Sequence, residues 1–83
     1  MKVYLDKDAA KQVKKLKEDE RSRILRRIKA LEVDPFLGKK LKGRENTYSF
    51  RVGKFRVIYE IHADLDEIWV LKIDKRERVY DRI

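Results

Sequence analysis

The sequence predicts a two-layer α+β domain in the order β-α-α-β-β-β, with two N-terminal helices packed on one face of a mainly antiparallel sheet. Three observations support this prediction. Residues 7–31 carry apolar side chains at helical spacing. Residues 48–61 alternate between apolar and polar side chains on both sides of a Gly-Lys pair, which is typical of a hairpin. Residues 68–73 add a further strand-like run. Helical segments followed by consecutive strands favour the α+β class.

The size and residue content limit the kinds of site that are possible. A chain of 83 residues predicts one domain spanning positions 1–83. Charged residues make up 46% and hydrophobic residues 42%, and the periodicity of the latter argues against disorder. There is no cysteine and only one histidine, which excludes thiolate and histidine-rich metal sites. We therefore expect no metal and no small-molecule cofactor.

The net charge and the N-terminus predict the environment and the partners. The charge is +8, from 23 basic and 15 acidic residues, and favours a polyanionic partner such as RNA, DNA or an acidic protein. The alternative is that basic charge only confers solubility. The N-terminus has no apolar signal segment, and no apolar run has membrane-spanning length. We expect a cytoplasmic protein with no membrane partner.

The N-terminal half predicts a short strand followed by two helices. Residues 1–5 alternate, and Asp6 is a suitable helix N-cap. Two apolar stripes at helical spacing follow: Ala9, Ala10, Val13 and Leu16, then Ile24, Leu25, Ile28 and Leu31. The polar stretch between them predicts a break near Glu18 to Glu20, although one continuous helix is the alternative. Asp34-Pro35 is predicted to end the second helix, because proline disfavours helical backbone in the preceding residue.

The middle of the chain and the last strand contain less regular patterns. We expect Phe36, Leu37 and Leu41 to pack under the sheet. Residues 38–46, GKKLKGREN, are predicted to form a basic loop, which is either a solvated connection or a phosphate-binding element. Strict alternation in residues 68–73 places Trp69, Leu71 and Ile73 on one face and Ile68, Val70 and Lys72 on the other. Apolar residues on both faces predict a central strand, or a strand covered by a partner.

The hairpin is predicted in more detail. Gly53 suits the first central position of a type II′ turn, which pairs Val52 with Phe55 and Arg51 with Arg56. The predicted core face is Phe50, Val52, Phe55, Val57, Tyr59 and Ile61. Two guanidinium groups on directly paired residues repel each other. The pair is therefore either splayed into solvent or arranged to bind an anion between the two side chains, and phosphate is the expected anion.

The residues show no familiar catalytic constellation. No phosphate-binding loop is present, and Ser49 and His62 lie too far apart along the hairpin to form a triad. Cleavage of RNA by its own 2′-hydroxyl needs positioning, stabilisation of the phosphorane charge and modest proton transfer. Arginines supply the first two, but they are poor proton donors near neutral pH. Composition therefore supports nucleic-acid binding and leaves catalysis open.

Three stretches resemble the RelE/ParE superfamily of toxins from type II toxin–antitoxin systems: LKG at 41–43, YSFRVGKFRVIYEI at 48–61 and IDKRERVY at 73–80. The resemblance extends over essentially the whole chain and implies a RelE-like fold. Members of the RelE branch are mRNA interferases, which cut the codon in the ribosomal A site without a metal. The resemblance thus implies a ribosome-dependent endoribonuclease toxin whose partners are mRNA on the ribosome and a cognate antitoxin that neutralises it.

The resemblance also implies roles for individual residues. Arg51 is implied to contact the RNA backbone near the scissile phosphate, and Arg56 to stabilise the developing phosphate charge. Arg76 is implied in leaving-group stabilisation or acid catalysis, and Tyr80 in stacking on or orienting the substrate. The RNA-binding residues expected on the same basis are Lys39, Lys40, Lys42, Arg44, Lys54 and Arg78.

The chain departs from the RelE pattern in three places. Ser49 stands where the pattern has a lysine that is implied to act as general base. Asp74 stands at a position that is often Gly or another small or neutral residue, and the tail is shorter. The ParE branch shares the scaffold, lacks most of the ribonuclease residues and acts on DNA gyrase. A ParE-like gyrase inhibitor is therefore one alternative, and a catalytically inactive scaffold that retains only the fold is another.

Overall fold

The computed structural model describes residues 1–75. These residues form five strands and two α-helices, and a 3₁₀ turn at residues 63–65 joins the last two strands. The elements are β1 (Lys2–Leu5), α1 (Lys7–Lys15), α2 (Glu18–Ala30), β2 (Lys39–Lys40), β3 (Thr47–Val52), β4 (Phe55–His62) and β5 (Glu67–Lys75). Neither helix in this part of the chain has the length and apolar character needed to cross a membrane.

The strands form one mixed sheet in the order β1-β5-β4-β3-β2. β1 pairs with β5 in parallel, and every other neighbouring pair is antiparallel. Both helices contribute buried side chains to a single core that covers one face of the sheet. The predicted α+β class, with two helices on a mainly antiparallel sheet, is confirmed.

The two helices are separate, as predicted, and the break between them lies at Leu16 and Lys17. The carboxylate of Asp6 accepts the backbone N–H of Lys7 at 2.8 Å and caps the start of α1. At the other end of α1, the Arg21 side chain donates to three backbone carbonyls. Its Nε lies 3.0 Å from the oxygen of Val13, and its Nη2 lies 3.3 Å from Lys14 and 2.9 Å from Leu16. The backbone carbonyls at the end of α1 thus find their hydrogen-bond donor in Arg21 of α2, which explains why the helix can end there.

The second helix ends earlier than predicted, at Ala30 rather than at Asp34. Beyond Ala30 the backbone tightens into three-residue turns, because the N–H groups of Leu31, Glu32 and Val33 bond to carbonyls three positions back. Such tightening satisfies terminal carbonyls that a regular helix leaves without a partner. The predicted end of the helix at Asp34-Pro35 is therefore wrong.

The core consists mainly of the predicted helix stripes and the predicted hairpin face. Buried apolar residues are Ala9, Val13, Leu16, Ile24, Ile28, Leu31, Phe50, Phe55, Val57, Tyr59, Ile61, Ile68, Val70 and Ile73. Phe36 is a correction, because it is 63% exposed instead of packed under the sheet. The ring of Phe36 meets Tyr48 edge-on at 5.7 Å, and Tyr48 stacks on Tyr59.

Strand β5 does not follow the strict alternation that the sequence predicted. Ile58 of β4 pairs with Lys72, and the next residue, Tyr59, pairs with Val70, so Leu71 is an extra residue in a β-bulge. The bulge moves Ile73 to the core face beside Ile68 and Val70, and leaves Trp69 and Leu71 half-buried on the other face. β5 lies in the interior of the sheet, which agrees with the first of the two alternatives, a central strand or a strand covered by a partner.

Residues 38–46 are not only a loop. Lys39 and Lys40 form strand β2, which pairs with Ser49 and Tyr48 and makes the fifth strand of the sheet. Two exposed lysines show no alternation, so the sequence contains no signal for this strand. Gly38 precedes β2 and lies so close to β3 that a Cβ atom on it would be 2.6 Å from the carbonyl oxygen of Ser49. Only glycine fits this approach.

Candidate nucleic-acid interface

The hairpin turn has the predicted geometry. Gly53 has φ of +59°, and Asp66 is the only non-glycine residue with positive φ within residues 1–75. Lys54 therefore has negative φ, which identifies a type II′ turn rather than type I′. The turn pairs Arg51 with Arg56 directly across the two strands, as predicted.

A third charge extends this pair into a row across the sheet. Arg56 pairs with Arg51 on one side and with Asp74 of β5 on the other. All three positions share the sheet face that is opposite to the helices, because directly paired residues point to the same side. Arg51 is exposed, whereas Arg56 and Asp74 are half-buried. Asp74 is thus the residue of β5 directly beside Arg56, and Arg51 is the more exposed of the two arginines.

A cavity of about 360 Å³ opens beside the arginine pair. It is lined by Leu37, Gly38, Lys39, Ser49, Phe50, Arg51 and Arg56. Three predicted site residues, Lys39, Arg51 and Arg56, thus meet in one place. Lys39 pairs directly with Ser49 across β2 and β3, so the side chains of both residues belong to the same wall.

Tyr59 fixes the loop that forms one side of this cavity. Its hydroxyl donates to the carbonyl of Pro35 at 2.8 Å and accepts the N–H of Gly38 at 3.0 Å. Burial raises the pKa of Tyr59 above its ordinary value of 10.0; the negative potentials of Tyr48 and Asp34 add to the rise, and the bond from Gly38 opposes it. The hydroxyl is therefore a neutral anchor, and the arginine pair supplies the charge.

The structure does not bring the other predicted RNA-binding residues into the cavity. Lys40, Lys42 and Arg44 lie at the opposite end of β3 from the hairpin turn, around a separate cavity of about 350 Å³. Lys54 lies at the hairpin tip, where its Nζ is 3.4 Å from Glu20 Oε2. Their roles stay predictions. Arg76, Arg78 and Tyr80 lie outside the described residues.

Three arginines that the sequence analysis passed over lie next to this site. Arg23, Arg26 and Arg27 of α2 line a cavity of about 310 Å³ together with Arg51, Val52 and Gly53. Their signal was present in the sequence, because positions i, i+3 and i+4 fall on one side of a helix. The end of the hairpin completes the lining, and the sequence alone could not show that helix and hairpin meet here.

This arrangement is suited to binding anions. Guanidinium groups present several N–H donors in a planar fork that matches phosphate oxygens. Within residues 1–75 no group of three His, Cys, Asp or Glu side chains is placed to hold a metal ion. Among the described residues, the cationic side chains that line the cavity are Arg51, Arg56 and Lys39.

Comparison with known proteins identifies the family. A family model described as the ParE toxin of the type II toxin–antitoxin system parDE matches residues 3–80. The chain belongs to the RelE/ParE toxin superfamily. A Methanocaldococcus jannaschii protein with the provisional name toxin RelE1 is 34% identical over 83 residues, covering 94% of this chain and 92% of its own.

Solved structures of this superfamily share the fold. The archaeal RelE from Pyrococcus horikoshii OT3, solved as a RelE–RelB complex, superposes with a TM-score of 0.81 at 28% identity, covering 93% of this chain and 96% of its own. The isolated RelE toxin of E. coli superposes with a TM-score of 0.84 at 22% identity, covering 98% of this chain and 92% of its own. At that identity the E. coli protein supports the fold only.

Proposed function

We propose that residues 1–83 form a RelE-like toxin domain that acts in the cytoplasm as a ribosome-dependent endoribonuclease. It cleaves mRNA in the A site without a metal, and a cognate antitoxin neutralises it. The observation that carries this proposal is the cavity in which Arg51, Arg56 and Lys39 meet. The antitoxin is supported by relatives, because RelE proteins of P. horikoshii and Methanococcus jannaschii were solved in complexes with RelB.

The arginine pair is suited to the charge that develops during cleavage. The 2′-oxygen of the RNA attacks the adjacent phosphorus, and the bond from phosphorus to the 5′-oxygen breaks. The proton of the 2′-hydroxyl must leave, and the 5′-oxygen must gain one. Negative charge accumulates on the phosphoryl oxygens, where Arg51 and Arg56 donate hydrogen bonds. A site that is already arranged for this charge needs no reorganisation during the reaction.

Lys39 supplies a group that can accept a proton. Arginine does not lose its proton in proteins, whereas a lysine amine can. Lys39 is the one amine among the described residues that line the cavity, and it pairs directly with Ser49. We propose that Lys39 accepts the proton of the 2′-hydroxyl, which is the role that the RelE pattern gives to a lysine at position 49. Arg76 and Tyr80 keep their predicted roles at the leaving group and in substrate orientation, and Lys40, Lys42, Arg44, Lys54 and Arg78 keep theirs in binding RNA.

Removal of either arginine should abolish most of the cleavage. In a translation extract, Arg56→Ala and Arg51→Ala should each lower the rate of mRNA cleavage roughly 10²–10³-fold, as loss of one donor to a developing oxyanion does in other enzymes. Lys11→Ala is the control, because Lys11 is exposed on α1 and should leave the rate unchanged. The proposed activity is wrong if the unaltered protein cuts no mRNA on translating ribosomes.

Lys39 can be tested by moving its amine across the strand pair. Lys39→Ala should lower the cleavage rate, and adding Ser49→Lys to it should restore much of that rate, because position 49 lies directly opposite. The control is Lys11→Ala, which removes the same charge from an exposed position on α1 outside the cavity. Equal rates for the two single variants would contradict the assignment. A rate that no longer rises with pH in Lys39→Ala would support proton transfer by this residue.

A second candidate function is inhibition of DNA gyrase. It is favoured by Ser49 and by the match to a family model named for ParE. A supercoiling assay with purified gyrase separates the two functions, because a ribonuclease should leave supercoiling unchanged at saturating protein. Neither cleavage nor inhibition, together with normal growth on strong expression, would favour the inactive scaffold.

A further inference from the structure

We propose that Arg23, Arg26 and Arg27 of α2 form, with Arg51, a second phosphate site that holds the RNA strand one step away from the cleavage cavity. This inference rests on the proposed function in one respect, namely that the bound polyanion is an RNA strand. It assigns a binding role to one face of α2.

Four arginines from two elements line one cavity. Arg23, Arg26 and Arg27 project from adjacent positions on one side of α2, and the cavity that they line with Arg51 has a volume of about 310 Å³. The guanidinium carbon of Arg27 lies 5.7 Å from the ring centroid of Phe50, which places it over β3.

Arg23 reaches the hairpin turn at Gly53. This glycine has φ of +59° and no side chain, and the position that a Cβ atom would take is 3.8 Å from Nη2 of Arg23. The turn that pairs Arg51 with Arg56 therefore lies within van der Waals reach of an α2 arginine. The cavity lies between helix and hairpin, and its arginines come from both.

The charge of the cavity selects its ligand. Among residues 1–75, the lining consists of four arginines, Val52 and Gly53 and includes no acidic residue. The acidic residues of α2 are confined to its first turn, where Glu20 forms its ion pair with Lys54. Guanidinium groups gathered in one wall favour a polyanion, whose binding releases counterions.

The position of the cavity favours RNA over a protein partner. Arg51 lines both this cavity and the cleavage cavity, so the two are adjacent. A strand with one phosphate against Arg51 and Arg56 can place a neighbouring phosphate against α2. A protein partner would require an apolar centre, but within the described part of the chain Val52 is the one apolar side chain in the lining.

The test measures binding without cleavage. The probe is a fluorescent single-stranded RNA in which every 2′-hydroxyl is methylated, and the readout is anisotropy at several salt concentrations. Each phosphate contact to a single strand contributes about −0.7 to the slope of log K against log salt. The triple variant R23Q/R26Q/R27Q should therefore reduce the magnitude of the slope by about 1.4–2.1, for two to three lost contacts.

A matched control removes the same charge elsewhere. The variant K7Q/K11Q/K14Q loses three exposed positive charges from α1, and it should keep the slope of the unaltered protein. R23K/R26K/R27K retains the charges but loses the planar guanidinium donors, so it should keep most of the slope and bind more weakly. Circular dichroism and thermal melting establish that every variant is folded.

The possible outcomes separate this inference from the proposed activity. Equal slopes for the two glutamine variants overturn the second site, as does a failure of the unaltered protein to bind the probe at low salt. Weaker binding of a poly-glutamate peptide by R23Q/R26Q/R27Q, with RNA binding unchanged, also overturns it in favour of an acidic protein. If ribosomes show no cleavage but the slope falls as expected, the RNA site stands and the proposed activity is wrong.

Discussion

The hydroxyl of Tyr59 connects the sheet to the wall of the candidate cleavage cavity. It is fully buried and bridges Pro35 and Gly38 through one donated and one accepted hydrogen bond. Gly38 lines the cavity and directly precedes Lys39. A core residue of β4 thus positions a lysine that reaches the site from another strand.

Tyr59→Phe should destabilise the protein without adding or removing charge. The substitution leaves the Gly38 N–H and the Pro35 carbonyl without their present partner, and an unsatisfied buried group costs about 1–3 kcal/mol. Urea unfolding followed by circular dichroism measures the loss. Tyr48→Phe is the control, because it removes a hydroxyl from the half-buried neighbouring ring, and it should cost less. A loss no larger than that of the control would show that the bridge does not stabilise the fold.

The same residue makes stability sensitive to alkaline pH. The pKa of Tyr59 is raised in the folded state, so the folded protein keeps a proton that the unfolded chain loses near pH 10.0. This contribution is fully present below pH 10.0 and is lost as pH rises through the folded pKa. Tyr59→Phe should therefore lose less stability than the unaltered protein over that range.

The junction between α1 and α2 depends on one side chain. Arg21 bonds to three carbonyls at the end of α1, and Glu20 accepts the backbone N–H of Lys17 at 3.3 Å at the start of α2. A nine-residue helix is marginal alone. The orientation of α1 therefore follows from its packing and from this cap.

Arg21→Ala should destabilise the domain by about 2 kcal/mol, because hydrogen bonds to charged groups contribute roughly 1.5–3 kcal/mol. Arg21→Lys keeps the charge but cannot reach three carbonyls at once, so its cost should be intermediate. Arg26→Ala, an exposed change on the same helix, should remain within about 0.5 kcal/mol. Hydrogen exchange of the last α1 amides gives a local readout. Unchanged protection there in Arg21→Ala would contradict the capping role.

The domain as a whole shows which features the sequence encodes in periodic patterns. The helix stripes, the hairpin register and the type II′ turn were predictable because each depends on residues close in sequence. Strand β2 was not, since two lysines have no period, and neither was the bulge at Leu71, which has no residue signature in an apolar run. The sheet order that puts β1 beside β5 depends on distant contacts.

The candidate site was predictable to the same extent. Arg51 and Arg56 followed from the turn, whereas the positions of Lys39 and of the α2 arginines depended on how separate elements pack. Lys39 is brought opposite Ser49 by a strand that the sequence does not reveal. The α2 arginines meet Arg51 only because helix and hairpin pack together.

The bulge in β5 also gives the chain some tolerance to changes in length. Leu71 is the residue without a counterpart on β4, and Val70 and Ile73 both face the core around it. Deleting Leu71 would leave a regular strand in which every later side chain keeps its face, including Asp74 beside Arg56. If another residue between Ile68 and Ile73 were deleted and the bulge stayed at Leu71, the side chains on one side of the deletion would move to the opposite face of the sheet. At Leu71 the chain can therefore lose one residue while Asp74 keeps its place beside Arg56.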